Sequence, residues 1–546
     1  MKQRWALMLG VLGWATIAAA GVVDEDLERV LAESAPDQTV STLVFLQNAV
    51  NISALDEFLE ASRTPLRERH ELVVRELQAA AERSQGPLLE ELAALQAAGL
   101  VAKYEAFWIA NVIRVDAPAS VVHELAERGD VHSVYVNYET ELVAPVAEGP
   151  AGGSPEAPEQ GLVAIRAPEA WAIGVTGAGQ LVSTLDTGVD GAHPALASRW
   201  RGLDPRYAGH PQWAWFDPVT NTTFPQAFAS HGTHTMGTVC GGAPGNEVGV
   251  APGAQWIHAA TIDRISIART VSDSILAFQW VIDPDGNPGT NWDVPAVCSN
   301  SWGLRTSHGY APCSTTFWSY LDACEAAGMV IVFAAGNEGT SEMRRPADRA
   351  TDDFRTLAVA AVNANVAGWP IASFSSRGPT YCTPGGTAAI KPEIAAPGVQ
   401  VRSSLPGGGY GPLDGTSMAT PHIGGVVALM REACPELSVQ EIKEIMFATA
   451  YDLGTVGNDN SYGWGMVDAY AAVQAAQAAC APAHGDLNCD GAVNFDDINP
   501  FVLLLSDPGL WQTTYPNCNP LNGDCNGDGI VDFDDINPFV ALLSGA

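Results

Sequence analysis

One serine stands between a glycine turn and a long apolar run. Residues 413–422 read LDGTSMATPH, and the serine is Ser417. Ser417 could be only a helix cap, because a side-chain oxygen that accepts a free backbone N–H is favoured at a helix start. It could also be a nucleophile, since the free N–H groups and the positive dipole end of a helix favour negative charge. A hydroxyl attacks poorly at neutral pH, so the second interpretation requires a base elsewhere in the chain.

Three other polar side chains could supply that chemistry. Asp186 ends the apolar stretch QLVSTLD, His231 lies in SHGTHTMGTV, and Asn337 follows the apolar stretch VIVFAAG. An imidazole can take the proton, a carboxylate can orient it, and an amide can donate to an oxyanion. Taken singly, Asp186 and Asn337 are ordinary turn residues. His231 and His234 could be metal ligands, but no third ligand accompanies them, and His234 alone is typical of a buried core histidine.

The elements that must position these side chains are strands. Between residues 161 and 478, short apolar strands such as QLVSTLDTG, GMVIVFAAGN and RTLAVAAVN alternate with helical stretches. This alternation predicts a parallel sheet flanked by helices, an α/β fold with its chemistry at the carboxyl ends of the strands. Ser438 and Glu441 have the spacing of a capping box and predict a helix start.

Several blocks of sequence then resemble one family. DTGVDGAHP, HGTHTMGTV, GVAPGA, NSWG, AAGNEG, FSSRGP, KPEIAAPG and GTSMATPH resemble the subtilisin-like serine proteases and occur in the order of that family. The chain order Asp, His, Ser is that of subtilisin. IKPEIAAPGVQVRSSLPG is especially similar to the bacillopeptidase F branch.

The resemblance implies roles position by position. Ser417 resembles the nucleophile, His231 the general base, Asp186 the carboxylate that orients the imidazole, and Asn337 the oxyanion donor, acting with the Ser417 backbone N–H. An extended polypeptide substrate would lie between two segments. These segments are Ser301, Trp302 and Gly303, and Ala334, Ala335 and Gly336. Core packing is an equally good interpretation of the Trp302 side chain.

One calcium site of the family is doubtful in this chain. The family often binds calcium through an aspartate soon after the His-Pro pair that follows the catalytic aspartate, and Ala195 stands there. Calcium in the peptidase domain is therefore left open.

The chain divides into five predicted parts. Residues 1–20 have the pattern of a secretory signal peptide, with a short basic start, an apolar stretch and small residues at Ala18 and Ala20. A membrane anchor is the alternative, but the stretch is short for one. Residues 21–145 have a β-α-β-β-α-β order, α+β and ferredoxin-like. They resemble the inhibitory propeptide of this family, with an accessory domain as the alternative. A linker or processing region (146–160) leads to the peptidase domain (161–478).

The tail, residues 485–546, contains a repeat. GDLNCDGAVNFDDINPFVLLLS recurs as GDCNGDGIVDFDDINPFVALLS. Both copies fit a calcium loop, and the aspartate in last position resembles dockerin modules. The alternative is a pair of acidic turns without metal. The predicted ligands are Asp486, Asn488, Asp490, the Ala492 carbonyl, Asn494 and Asp497, and Asp524, Asn526, Asp528, the Ile530 carbonyl, Asp532 and Asp535.

Charge and cysteine content narrow the class of partner. The chain has 62 acidic and 27 basic side chains, which argues against nucleic acid as a partner because phosphate binding needs Lys and Arg.

The ten cysteines of an exported chain predict structural disulfides, but the sequence does not say which cysteines pair.

The predicted function is that of an extracellular serine endopeptidase. We expect a zymogen and a monomer, with polypeptide substrates, its own propeptide as inhibitor, and a cohesin-like or cell-surface partner for the tail. The alternative is a catalytically inactive subtilase-fold binding protein anchored through its dockerin-like tail.

Overall fold

The computed structural model describes residues 21–152, 158–243, 246–264, 268–352, 355–515 and 518–544. The predicted signal peptide and residues 153–157 of the predicted linker lie outside the described residues. The chain forms two units, one of residues 1–49 and 80–137, the other of residues 50–79 and 138–546.

The first unit is built on one five-stranded sheet of order β1-β5-β2-β4-β3, antiparallel except between β1 and β5. The first helical stretch of the predicted β-α-β-β-α-β order, between residues 52 and 97, is two helices and not one. Arg63 takes a left-handed conformation and Pro65 disfavours helical geometry at Thr64, so the helix breaks there. The elements up to residue 137 are β1 (Val22–Val23), α1 (Glu25–Glu33), β2 (Thr39–Leu46), α2 (Ile52–Ala61), α3 (Leu66–Ala97), β3 (Lys103–Phe107), β4 (Val112–Pro118), α4 (Ala119–Ala126) and β5 (Val131–Val136).

The second unit contains a seven-stranded parallel sheet that confirms the predicted fold class. Its strand order is β17-β16-β15-β13-β8-β12-β9. Three of its long strands are buried along their whole length, and two of these, VIVFA and LAVAAV, are wholly apolar, as expected of a sheet with helices on both faces. The elements from residue 138 to 300 are β6 (Glu141–Leu142), β7 (Ala147–Glu148), α5 (Gln160–Ala164), α6 (Ala167–Ala172), β8 (Leu181–Asp186), β9 (Trp215–Phe216), α7 (His231–Cys240), β10 (Gly242–Ala243), β11 (Asn246–Glu247), β12 (Gln255–Ala260), α8 (Val271–Ile282) and β13 (Val297–Asn300).

In its described residues, the second unit has three smaller sheets, one of which is the pair of β10 and β11. β6 pairs with β14, and β7 pairs with β19, which also pairs with β18. The segment predicted as a linker therefore contributes a short strand. The remaining elements are β14 (Trp302–Gly303), α9 (Trp318–Ala326), β15 (Val330–Ala334), β16 (Leu357–Val362), β17 (Ile394–Pro397), β18 (Val401–Leu405), β19 (Gly409–Asp414), α10 (Thr416–Ala433), α11 (Val439–Thr449), α12 (Ala469–Ala479), α13 (Ile498–Ser506), α14 (Pro508–Thr514) and α15 (Ile536–Ser544).

The predicted capping box opens α11. The Ser438 hydroxyl accepts the Glu441 N–H at 3.2 Å, and the Glu441 carboxylate accepts the Ser438 N–H at 2.8 Å. Two N–H groups that the helix leaves free are thereby satisfied.

Six of the ten cysteines form disulfides: Cys313–Cys382, Cys434–Cys480 and Cys489–Cys518. The other four are free thiols. Burial raises the pKa of the Cys240 and Cys298 thiols to about 12, so neither is a reactive thiolate at neutral pH.

The tail has its own small core. Leu487, Phe501, Trp511 and Phe539 are buried there, and the Phe501 and Phe539 rings from the two repeats stack with centroids 4.3 Å apart. Across the described part of the chain, no helix is both long and apolar enough to cross a bilayer.

Three histidines are fully buried near the carboxyl edge of the large sheet. His234 lies in α7, His258 in β12 and His422 in α10. Burial disfavours the imidazolium form and lowers the pKa of His234 to about 3 and those of His258 and His422 to about 4. His422 Nδ1 donates to the Met418 carbonyl at 2.8 Å, and its Nε2 has no hydrogen-bond partner.

Replacing His422 should change how stability depends on pH. The unfolded chain takes up a proton at His422 near pH 6.5, but the folded chain does so only near pH 4. The stabilising contribution of the neutral imidazole is therefore present above pH 6.5 and is lost as the pH falls toward 4. A His422→Gln variant should therefore gain about 3 kcal/mol of stability relative to its parent over this window. Denaturant unfolding at several pH values measures the difference, and parallel curves for the two proteins would contradict it.

Candidate active site

The candidate side chains come from the carboxyl ends of two parallel strands and from two helix starts. Asp186 is the last residue of β8, which lies between β12 and β13. His231 is the first residue of α7, and Ser417 is the second residue of α10. Asn337 follows β15 after two small residues. Each side chain is thus attached where an element begins or ends, at the sheet edge where parallel α/β folds bind ligands.

Asp186 and His231 form a buried pair. Asp186 is 1% exposed and His231 is 2% exposed, and Nδ1 of His231 lies 2.8 Å from Asp186 Oδ1 and 3.0 Å from Oδ2. The Thr187 N–H and the Thr235 hydroxyl donate to the same carboxylate. Burial by itself raises the pKa of Asp186, but the charge and hydrogen bond of His231 outweigh it and hold the pKa below its ordinary value. The carboxylate stays ionised and fixes the proton on Nδ1, so Nε2 is available as a base.

Ser417 is fully buried, and its hydroxyl does not cap α10. Ser417 Oγ donates to the Val143 carbonyl oxygen. His231 Nε2 has no hydrogen-bond partner in the described residues, and the partner of the serine hydroxyl is a peptide carbonyl. Of the two interpretations of the opening serine, the helix cap is therefore wrong.

The Asn337 amide is held in one orientation. Its Oδ1 accepts the Thr416 N–H and the Thr416 hydroxyl, both at 2.9 Å. The Nδ2 donor must then point away from α10, and it donates to the Ala144 carbonyl at 2.9 Å. An amide locked in this way is a preorganised donor for an oxygen beside Ser417.

Residues 138–152, called the cleft segment below, pass over these side chains in extended form. On the N-terminal side of the Val143 carbonyl, β6 pairs antiparallel with β14, and the Thr140 N–H donates to the Arg269 carbonyl at 2.7 Å. The Val143 N–H donates to the Ser301 carbonyl at 3.0 Å. On the C-terminal side of Val143, β7 pairs antiparallel with β19. The cleft segment is therefore held by backbone pairing on both sides of the serine hydroxyl, as an extended peptide is held when it adds to a sheet edge.

The six predicted substrate-binding residues take different positions. Ser301, Trp302 and Gly303 pair with the cleft segment through their backbone, while the Trp302 ring is fully buried against Phe333. Core packing is thus the role of the Trp302 side chain, and its part in substrate binding stays a prediction for its backbone.

On the other side of the cleft, Ala334 and Ala335 are buried, and the Gly336 N–H donates to the Thr416 hydroxyl at 3.2 Å. The side-chain hydrogen bonds from this part of the chain to the cleft segment come from Asn337 and from Arg344, whose Nη1 donates to the Leu142 carbonyl at 2.9 Å. Sequence reasoning missed Arg344 and also Arg305, which pairs with Glu141 of the cleft segment. Arginines outside the recognised blocks carry no signal of their own.

Two other sequence questions are answered by side-chain contacts. His234 Nε2 lies 3.0 Å from the Val401 carbonyl and 3.1 Å from the Gly411 carbonyl, so it is a core histidine. At Ala195, the Arg199 guanidinium donates to the Ala195 and Gly242 carbonyls. The positive charge beside these two carbonyls, at the place where the family often binds calcium, is therefore the guanidinium of Arg199.

The two tail loops have matching geometry. Asp497 and Asp535 are fully buried, and each accepts backbone N–H groups from both sides of its own loop. Gly491 and Gly529 take left-handed conformations at the same loop position, with φ of 86° and 87°. The predicted donors are all oxygens, which are the ligands that Ca²⁺ prefers.

The loop carboxylates are nevertheless not gathered as they would be around an ion. Among the described residues, one group of three potential ligands comes within 4.8 Å of one another, namely Cys313, Asp348 and Cys382, and its two cysteines form a disulfide. The oxygen donors fit calcium by their chemistry, but ion binding would have to draw them together.

Comparisons with known proteins agree with this geometry. Residues 177–465 match the family described as Subtilase family. The chain is 33% identical over 468 residues to Bacillopeptidase F of Bacillus subtilis (strain 168), covering 81% of this chain but 31% of that protein. It is 31% identical over 318 residues to Subtilisin of Bacillus pumilus, covering 58% of this chain and 98% of that protein.

A similar fold is found in a solved structure. Fervidolysin from Fervidobacterium pennivorans, described as a keratinolytic enzyme related to subtilisin, aligns with a TM-score of 0.56 and 22% identity. The alignment covers 84% of this chain and 63% of that one. The family match spans more than half of the chain and nearly the whole of a subtilisin, and the chain therefore belongs to the subtilase family of serine-type hydrolases.

Proposed function

We propose that the chain is a serine endopeptidase made as a zymogen and that it hydrolyses peptide bonds with Ser417. The observation that carries the proposal is the peptide carbonyl of Val143 at the Ser417 hydroxyl. The peptide on either side of this carbonyl is paired with the cleft. A site that holds an extended peptide across a buried serine suits cleavage within a chain.

The roles follow from the geometry of the buried pair. For the attack, the Ser417 hydroxyl must turn its proton from the Val143 carbonyl oxygen to His231 Nε2, which can accept it because Asp186 holds the other ring nitrogen protonated. Ser417 Oγ attacks the carbonyl carbon, and the proton moves to Nε2. His231 then protonates the leaving amine, and water releases the acyl group by the same steps in reverse order.

The negative charge of the tetrahedral intermediate needs donors that are already in place. Asn337 Nδ2 is one, held by Thr416, and the backbone N–H of Ser417 at the start of α10 is the second. The helix start that raised the question of a simple cap would then supply both the nucleophile and one oxyanion donor.

The cleft segment identifies the proposed maturation bond. The Val143 N–H pairs with Ser301, and the Val143 carbonyl meets Ser417, which favours cleavage between Val143 and Ala144. The contact of Asn337 with the Ala144 carbonyl favours the next bond, Ala144–Pro145. We choose the Val143–Ala144 bond, because two contacts support it, the Val143 N–H with Ser301 and the Val143 carbonyl with the nucleophile Ser417. On this basis residues 21–143, nearly the whole of the predicted propeptide 21–145, act as the inhibitor, with the cut just before the linker.

Incubation of the purified chain should produce a new N-terminus at Ala144, together with hydrolysis of casein. Ser417→Ala should stay intact and leave casein uncut, because the attacking oxygen is gone. N-terminal sequencing and a casein assay measure the two effects.

The outcomes separate the proposal from its alternative. Casein hydrolysis that survives in Ser417→Ala would refute the nucleophile. An intact and inactive wild-type chain would favour the alternative, a catalytically inactive subtilase-fold binding protein. A first residue of Pro145 would move the cut by one residue and leave the mechanism standing.

Secretion and assembly follow from the sequence. The N-terminal pattern supports export, so we propose an extracellular monomer that acts on polypeptides. Backbone pairing in the cleft reads an extended chain and tolerates many side chains.

We propose further that each tail loop binds one Ca²⁺ through the oxygens named above. The repeats also expose apolar side chains, Phe495 at 76% and Phe533 at 75%, at equivalent positions. An exposed apolar surface of this kind supports a docking role, with a cohesin-like or cell-surface partner.

Calcium titration of the full chain in the Ser417→Ala background tests the loops. Replacing Asp490 and Asp528 by Ala should remove two bound ions, since each loop loses a ligand. The matched control is Asp496→Ala with Asp534→Ala, which removes the same charge from neighbouring exposed positions that are not ligands. Equal ion counts in the parent and the Asp490/Asp528 variant, measured by calorimetry, would refute calcium binding by the loops.

A further inference from the structure

We infer that the cleft contains a subsite for an acidic side chain, formed by Arg305, at the third residue before the bond that is cut. The inference rests on the proposed endopeptidase function and names a substrate preference of the same site.

The contact that carries it is a two-pronged ion pair. Arg305 Nε donates to Glu141 Oε2 at 2.9 Å, and Arg305 Nη2 donates to Glu141 Oε1 at 2.5 Å. A guanidinium that meets both oxygens of one carboxylate recognises the planar shape of the group as well as its charge. The pair is partly covered, with side-chain exposures of 31% for Arg305 and 28% for Glu141.

Strand geometry places Arg305 beside this one substrate position. Glu141 lies opposite Gly303 in the antiparallel pair of β6 and β14. Side chains two residues apart along an extended chain lie on the same face, so Arg305 is directed to the face on which Glu141 lies. Gly303 is required where β14 packs against Arg344 and Arg345, since a Cβ at residue 303 would come within 2.9 Å of the Arg345 carbonyl oxygen and 3.0 Å of the Arg344 Cβ.

The charges of two neighbouring acidic groups, Glu338 and Glu342, also act on Arg305, but both groups make their ion pairs with other arginines. Glu338 pairs with Arg344 at 2.7 Å, and Glu342 pairs with Arg345. In the described part of the chain, Arg305 makes no hydrogen bond or ion pair besides those with Glu141. Arg344 Nη1 adds a second positive charge, 3.7 Å from Glu141 Oε2.

The consequence for substrates appears once residues 138–143 have been cut off and have left the cleft. Arg305 then remains as a guanidinium without its carboxylate, beside the position that the third residue of the next peptide occupies. A carboxylate there restores the ion pair, a neutral side chain leaves it unmade, and a lysine is repelled. This preference for a negative side chain comes from the local charge of Arg305 and not from the charge of the whole chain, which is −35.

The test compares peptides that differ at one residue. Three fluorogenic peptides carry Glu, Gln or Lys at the third position before a common scissile bond, and kcat/KM is measured on the matured protein. We expect the Glu peptide to exceed the Gln peptide by roughly three- to tenfold, since the pair is two-pronged but partly solvated. The Lys peptide should be the poorest, and the Glu preference should shrink in high salt.

Variants assign the preference to the residue. Arg305→Gln should bring the Glu-to-Gln ratio of kcat/KM to about one, and Arg305→Glu should make the Lys peptide the best of the three. The matched control is Arg206→Gln, which removes a surface arginine paired with Asp204 and should keep the wild-type ratio.

The two proposals fail in different ways. If no peptide is cut, the endopeptidase function itself is wrong. If all three peptides are cut with equal kcat/KM, or if Arg305→Gln keeps the wild-type ratio, the enzyme stands and the acidic subsite is refuted. A Glu preference that appears at the fourth position instead of the third would place the maturation cut at Ala144–Pro145 and would overturn the stated register.

Discussion

The hydrogen bond between Asp186 and His231 is the constraint on which the site depends. An imidazole in a buried position loses its hydration, and only a fixed partner keeps it in one tautomer and one orientation. Asp186 does this from the end of a strand that is buried on both faces and paired on both edges. The carboxylate is itself held by Thr187 and Thr235, so neither member of the pair can rotate freely.

The rest of the second unit brings a peptide to that imidazole. The parallel sheet places Asp186 and the turn before Asn337 at one edge, and α10 directs Ser417 toward it. The edges offered by β14 and β19 are open to pairing, and the cleft segment uses both. Unpaired strand edges attract any extended chain, so the zymogen proposed above requires a filled cleft before maturation. The segment that fills it here belongs to the same chain.

The sequence predicted most of this arrangement, for physical reasons that can be named. Asp186, His231, Asn337 and Ser417 lie in short blocks whose turns and glycines are as characteristic as the side chains themselves. The parallel sheet followed from buried apolar strands that alternate with helices. The exact path of residues 143–152 could not be predicted, because their Pro, Gly and Ala content is typical of a linker, and their strand character comes from the edge with which they pair. Arg305 could not be assigned either, since its role depends on a carboxylate far away along the chain. The pairing of the cysteines and the break in the helix near Pro65 also required the structure.

The central claim is that Ser417 is activated by the buried pair and is blocked until the cleft segment is removed. Labelling with a sulfonyl fluoride tests it directly when the sample still contains both processed and unprocessed chains, and mass spectrometry locates the label in each. The account predicts label on Ser417 in chains that have lost residues 138–143 and none on Ser417 in chains that retain them. Label on another serine, or equal labelling of Ser417 in both populations, would contradict it.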